Sequence, residues 1–266
     1  MVPSLLAALL VSQVDGGVAA QPDAGTAPAA LRCLPTWYAG TVMWKPDAGG
    51  WGLDLANGVF VPWSSGVETF GPEDEAVPDL EDVFHTPYQP GPIVPVDTSD
   101  AGPRPEDPGR VRVLELFMAT YGASRNEVSS RLGKVKFFGL RYPFHALAAP
   151  ALARVVARLE PQVKADPTLL PFLKNIGGTW SWRKIARSKS LSAHAFGIAI
   201  DLNVERAHYW RWKRRGEPLV WKNRIPQAIV DAFEAEGFIW GGRWQHFDTM
   251  HFEYRPELLS PACRDR

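Results

Sequence analysis

Proline recurs through residues 86–109 (TPYQPGPIVPVDTSDAGPRPEDPG), and this stretch limits the possible folds more than any other. A proline lacks the backbone N–H that a helix interior or a central strand requires. Regular structure must stop on either side, so the segment reads as an extended link or a strap laid over the surface. Ahead of it lies a short β region. The runs Trp51–Leu55 and Val59–Pro62 flank Ala56-Asn57-Gly58, and Asn-Gly between alternating runs is a strong hairpin signal. Behind it the period changes. Val111–Tyr121 carries apolar residues at helical spacing, and Ser124 can cap a second short helix ending near Leu132-Gly133. Val135–Leu140, Gly197–Asn203 and Met250–Tyr254 are expected as strands. Leu147–Leu159, with Pro150 in its first turn, and Ile225–Glu236, between Pro226 and Gly237, are expected as amphipathic helices. The predicted class is α+β: a small antiparallel sheet with flanking helices, plus an N-terminal β-hairpin extension.

Charge narrows the partners. The 266 residues hold 29 basic and 29 acidic side chains, so no global field favours nucleic acid or an anionic membrane surface. The apolar run Leu5–Val11 has signal-peptide length and is too short to span a bilayer. Val18-Ala19-Ala20 offers small residues at the positions a signal peptidase reads, although no Lys or Arg precedes Arg32. The expected organisation is a signal peptide over 1–20, a disordered leader over 21–31, the hairpin and Pro-rich wrapping segment over 32–109, and the main domain over 110–266. The chain is expected to be secreted or periplasmic, in the cell envelope, without stable membrane insertion, and to act as a monomer. In an exported chain the two cysteines, Cys33 and Cys263, are expected to pair as a disulfide.

The chemistry concentrates in two segments. In Leu191–Asn203 (LSAHAFGIAIDLN), a strand from Gly197 puts Ile198, Ile200 and Leu202 on one face and Ala199, Asp201 and Asn203 on the other. His194 precedes that strand by a turn that Gly197 can fold back sharply, so His194 and Asp201 can converge on one ion. In Phe247–Tyr254, His251 and Glu253 share a strand face. Two histidines and one carboxylate with an open fourth position form the layout of a catalytic zinc site. Asp248, three residues before His251, is placed to take a proton from water activated at the ion. Singly, each of these residues has a plainer reading, the histidines as hydrogen-bonded structural groups and the aspartates as turn formers; it is the set that points to metal. His85, His145 and His208 lack such company and are read as structural. His246 is read either as a substrate-binding or proton-transfer residue of the same cleft, or as a bystander. Trp180, Trp182, Trp240 and Trp244 are read either as aromatic walls of that cleft or as core.

Ser192-Ala-His194-Ala-Phe-Gly197-Ile-Ala199-Ile-Asp201 resembles the SxHxxGxAxD motif of peptidase family M15, the zinc D-Ala-D-Ala carboxypeptidases and related L-Ala-D-Glu endopeptidases. Phe238–Trp244 followed by Asp248-Thr-Met-His251-Phe-Glu253 resembles that family's closing block, and the likeness spans roughly Arg110 to Pro256. It implies a hedgehog/D-Ala-D-Ala peptidase-like fold over 110–266, one Zn2+ held by His194, Asp201 and His251, Asp248 as base, and peptidoglycan stem peptide as substrate. It also implies an arginine upstream of the first motif that holds the substrate and polarises the scissile carbonyl; Arg183 is the best match and Arg187 the runner-up. Ser192 and Glu253 are expected to orient ligands rather than bind the metal. Arg243 departs from the family pattern and is expected to make the rim more basic. The rival reading is a zinc-stabilised cell-wall- or partner-binding module without turnover, against which the intact Asp248 argues.

Overall fold

The computed structural model describes residues 25–66, 78–99, 107–185 and 190–263. The expected signal peptide and Arg187 lie outside these residues. The fold is α+β; among the described residues, three small antiparallel sheets and short helices share one apolar core. None of the described helices is long and apolar enough to cross a membrane.

The last residues of the leader expected over 21–31 are helical and packed instead. Helix α1 (Ala29–Cys33) forms there, and Ala27, Ala30 and Leu31 are buried. Its last residue is bonded to Cys263, closing 230 residues of chain. In the chain-entropy model so long a loop stabilises by about 5 kcal/mol.

The hairpin is one edge of a three-stranded sheet. Strand β1 (Thr41–Lys45) pairs along β2 (Gly50–Asp54), which pairs with β3 (Phe60–Pro62). Gly58 turns the chain with φ 81°, as the Asn-Gly signal required. Ahead of the proline-rich strap the described residues form a 3-10 turn, Glu81–Phe84.

Helix α2 (Leu114–Tyr121) starts three residues after the expected Val111, and helix α3 (Arg125–Ser130), capped by Ser124 as expected, stops short of Leu132-Gly133, where a strand begins. Ser124 Oγ accepts from Glu127 N, and a Glu127 carboxylate oxygen accepts from Ala123 N at 3.0 Å, forming a reciprocal cap. The single strand expected over Val135–Leu140 is instead a hairpin of β4 (Leu132–Phe137) and β5 (Leu140–His145). Phe138 and Gly139 both take positive φ, 36° and 107°, and Phe-Gly carries none of the usual turn signature. Helix α4 (Ala149–Ala165) continues beyond Leu159, past the last fully buried apolar residue, and is followed by the short helix α5 (Leu170–Leu173).

The sheet that carries the site has strand order β6 (Ile176–Gly178), β7 (Ala199–Asn203), β9 (His251–Tyr254), β8 (Phe238–Trp240), all antiparallel. Ile198, Ile200 and Leu202 are fully buried, as expected for a core-facing set. Helix α6 (Gln227–Glu234) covers that face, and its Phe233 ring stacks on Phe252 at 4.2 Å. Helix α7 (Pro256–Leu259) closes the chain towards Cys263.

Candidate metal centre

Ser192, Gly197 and the pairing of β7 with β9 bring the site together. Ser192 Oγ accepts from His194 N at 3.3 Å, capping the one-turn 3-10 segment Ala193–Phe196. Gly197 ends that turn at φ 67°, and a Cβ there would stand 2.7 Å from the Leu132 side chain. The chain then enters β7, where Asp201 lies directly across from His251. His194 Nε2 approaches Asp201 Oδ1 at 3.1 Å, His251 Nδ1 approaches the same oxygen at 3.0 Å, and the two ring nitrogens lie 3.3 Å apart. One donor atom from each of the three residues falls within 4.8 Å of the others.

The outer ring nitrogens are already committed. His194 Nδ1 lies 3.1 Å from the Thr179 carbonyl, which can only accept, so Nδ1 donates there and Nε2 is the nitrogen facing Asp201. His251 Nε2 donates to Glu253 Oε2 at 3.0 Å, which leaves Nδ1 facing Asp201. Burial pushes the Glu253 carboxyl up, but Arg112, His251 and Arg255 hold it below the usual range, so it is an anionic acceptor. Burial also pushes the His251 imidazolium down, and hydrogen bonds to Asp201 and Glu253 outweigh it, holding the group up to about 10. Asp201 is likewise drawn low by both histidines against its burial. Two imidazole nitrogens and a carboxylate oxygen at this spacing need a cation between them, the His251 proton in the metal-free chain or a metal in its place. The donor set, two nitrogens and one oxygen with both rings anchored from outside, fits zinc.

Asp248 lies beside this cluster. Its backbone N–H donates to Gly241 O at 2.9 Å, and its carbonyl accepts from His251 N at 3.1 Å. Oδ1 is buried and has no hydrogen-bond partner among the described residues. Burial and the Asp201 charge push the carboxyl up to about 7, against the pull of His251, Arg110 and Arg183. Arg183 is thus close enough to act on Asp248, and its side chain is exposed. Tyr209 pairs with Asp248 across an isolated bridge, and its hydroxyl is acted on by Arg110, Arg183, Arg211 and Asp248.

Some of the expected roles change and others do not. Trp240 is not a cleft wall: it is 1% exposed, stacks on Phe252 and donates to Thr249 O at 2.9 Å. Trp244 is buried too, with its ring centroid 5.6 Å from that of His251. His246 is tied to Asp107, which accepts from its backbone N–H and lies against its Nδ1, both at 3.0 Å. The basic rim expected at Arg243 is absent, because its guanidinium turns inward to Glu234 (2.7 Å) and Gly91 O (2.6 Å). Glu253, fully buried behind His251, stands where an orienting residue would. His145 is structural, with Nε2 against Tyr121 O at 3.1 Å.

Residue types and spacing gave no sign of Thr179, Tyr209, Arg110 or Arg112. Thr179 precedes the first motif in sequence, but it contributes only a backbone carbonyl, which any residue type could supply.

Residues 186–254 match a family model of M15 peptidases described as D-alanyl-D-alanine carboxypeptidase. The match takes in both motif segments and about a quarter of the chain. It supports the M15 resemblance over that stretch. No solved structure matches the chain significantly.

Proposed function

We propose that the chain is an exported zinc peptidase that hydrolyses an amide bond in peptidoglycan stem peptides, either D-Ala-D-Ala or L-Ala-D-Glu. The observation that carries this reading is the convergence of His194 Nε2, His251 Nδ1 and Asp201 Oδ1, with both outer ring nitrogens engaged elsewhere.

A zinc ion held by these three atoms would supply Lewis acidity at the scissile carbonyl and lower the pKa of a water beside Asp248. The chain's own groups do the rest. Asp248 takes the proton as water attacks and returns it to the leaving amine. Burial raises the Asp248 carboxyl above the ordinary aspartate range in the metal-free chain, which makes it a stronger base than an exposed aspartate. The Arg183 guanidinium donates to the carbonyl oxygen as negative charge develops. Ser192 and Thr179 set the turn and ring of His194, and Glu253 sets the ring of His251. The disulfide Cys33–Cys263 favours an oxidising compartment and so supports export, together with the signal-like sequence of residues 1–20. The intact Asp248, with no partner at Oδ1 among the described residues, favours turnover over a purely binding role.

Incubating purified muropeptides with the protein, with and without chelator, tests the proposal by product mass. Loss of a terminal D-Ala marks a carboxypeptidase, and release of L-Ala-linked fragments marks an endopeptidase. No product under any condition would leave the binding-module reading in its place.

A further inference from the structure

We infer that the strap preceding α2 is part of the metal centre, with Arg112 acting as a positioning residue for His251 through Glu253. This rests on His194, Asp201 and His251 being the metal ligands. Residues 107–112 lie far outside the matched stretch 186–254, yet they dock along its closing block. Asp107 holds the backbone and ring of His246 (both 3.0 Å). Pro108 O accepts from Trp244 Nε1 at 2.8 Å, and Gly109 O accepts from Arg255 Nη1 at 2.5 Å. Arg110 lies over the Trp244 ring at 5.3 Å. The fit is close: at Gly109, with φ 83°, a Cβ would stand 2.4 Å from Ile239 Cδ1 and 2.8 Å from Leu258 Cδ1.

Arg112 completes the arrangement. Its Nη2 donates to Glu253 Oε2, the same oxygen that accepts from His251 Nε2. Glu253 is fully buried and the Arg112 side chain is 9% exposed, so water cannot readily replace either partner. Arg255 does not duplicate this contact. It holds the other oxygen, Oε1, at 3.2 Å and is already engaged by Glu257 and Gly109 O. Arg112 therefore pins the one carboxylate oxygen that keeps the hydrogen on His251 Nε2 and aims the Nδ1 lone pair at Asp201 and His194. Without it Oε2 keeps only the His251 contact, and the carboxylate, held at Oε1 by Arg255 alone, fixes the ring less tightly.

The test measures zinc affinity of the full chain by competition with a chromophoric chelator, together with the visible spectrum of the cobalt(II)-substituted protein. Arg112→Ala should weaken zinc binding by roughly 10-fold, the lower end of the range for removing an outer partner of a metal-bound histidine, because it acts through Glu253. It should also alter the cobalt bands. Arg112→Lys should recover part of the loss. In a Glu253→Gln background, Arg112→Ala should add little further loss. Should Arg112→Ala fail to fold, Arg112→Lys against wild type carries the comparison, with a smaller weakening expected. Folded Arg112 variants with unchanged zinc affinity and cobalt spectrum, whatever their melting temperature, would overturn the role. A wild-type chain that takes up no zinc would overturn the ligand assignment on which it rests.

Discussion

Asp248→Asn should have opposite effects on turnover and on the stability of the metal-free protein. The substitution keeps the shape of the side chain and removes its charge and its basicity. Burial and Asp201 raise the Asp248 carboxyl from an ordinary 3.8 to about 7 in the folded chain. A raised carboxyl stabilises the fold while protonated. That contribution is fully present below the unfolded pKa and is lost as pH rises through the folded one. The wild-type chain should therefore lose stability progressively from about pH 4 to about pH 7 through this group, an effect on the order of a few kcal/mol. Asparagine does not titrate. The variant should match the wild type near pH 4 and exceed it at pH 8. Denaturant unfolding of chelator-treated wild type and variant at pH 4, 6 and 8 isolates this difference. Turnover of muropeptides at pH 8 should fall by roughly 10²–10⁴-fold, the usual contribution of a general base, with zinc still bound. A pH-independent stability difference, or a variant less stable at pH 8, would refute the electrostatic account. Undiminished turnover would remove Asp248 from the mechanism.

Three other outcomes follow from the same geometry. Trp240→Ala should destabilise by about 3–5 kcal/mol, the cost of emptying a large aromatic site, because Trp240 is core; a changed KM with unchanged unfolding midpoint would return it to the cleft. Replacing both Cys33 and Cys263 with serine should cost up to about 5 kcal/mol in denaturant unfolding, with zinc affinity unaltered, and equal stability would show that the tie does little. Arg183→Ala should lower kcat more than it raises KM, since its donor is needed most as the oxyanion forms; a pure KM effect would make it a binding group only.

The half-site of His194 and Asp201 was legible because a single turn and strand, punctuated by Gly197, hold both residues. His251 and Glu253 were legible because strand alternation puts them on one face. What supports them was not. Thr179 acts through its carbonyl, and Arg112 reaches Glu253 across 141 residues, so neither leaves a local pattern. Strands β6 and β8 are three residues each, too short for periodicity to declare them. Trp240 stands beside the closing motif, but its strand packs into the core on both faces. Arg243 is drawn off the rim by Glu234, a partner nine residues away whose burial depends on α6 docking.

Zinc stoichiometry tests the central claim most directly. Purified wild-type protein, dialysed and analysed for metal, should carry one zinc per chain, and its muropeptide hydrolysis should stop with chelation and return on adding zinc. His194→Ala, Asp201→Ala and His251→Ala should each lose most of that metal while remaining folded. A wild-type chain that hydrolyses muropeptides without zinc, or ligand variants that retain full occupancy, would contradict the account.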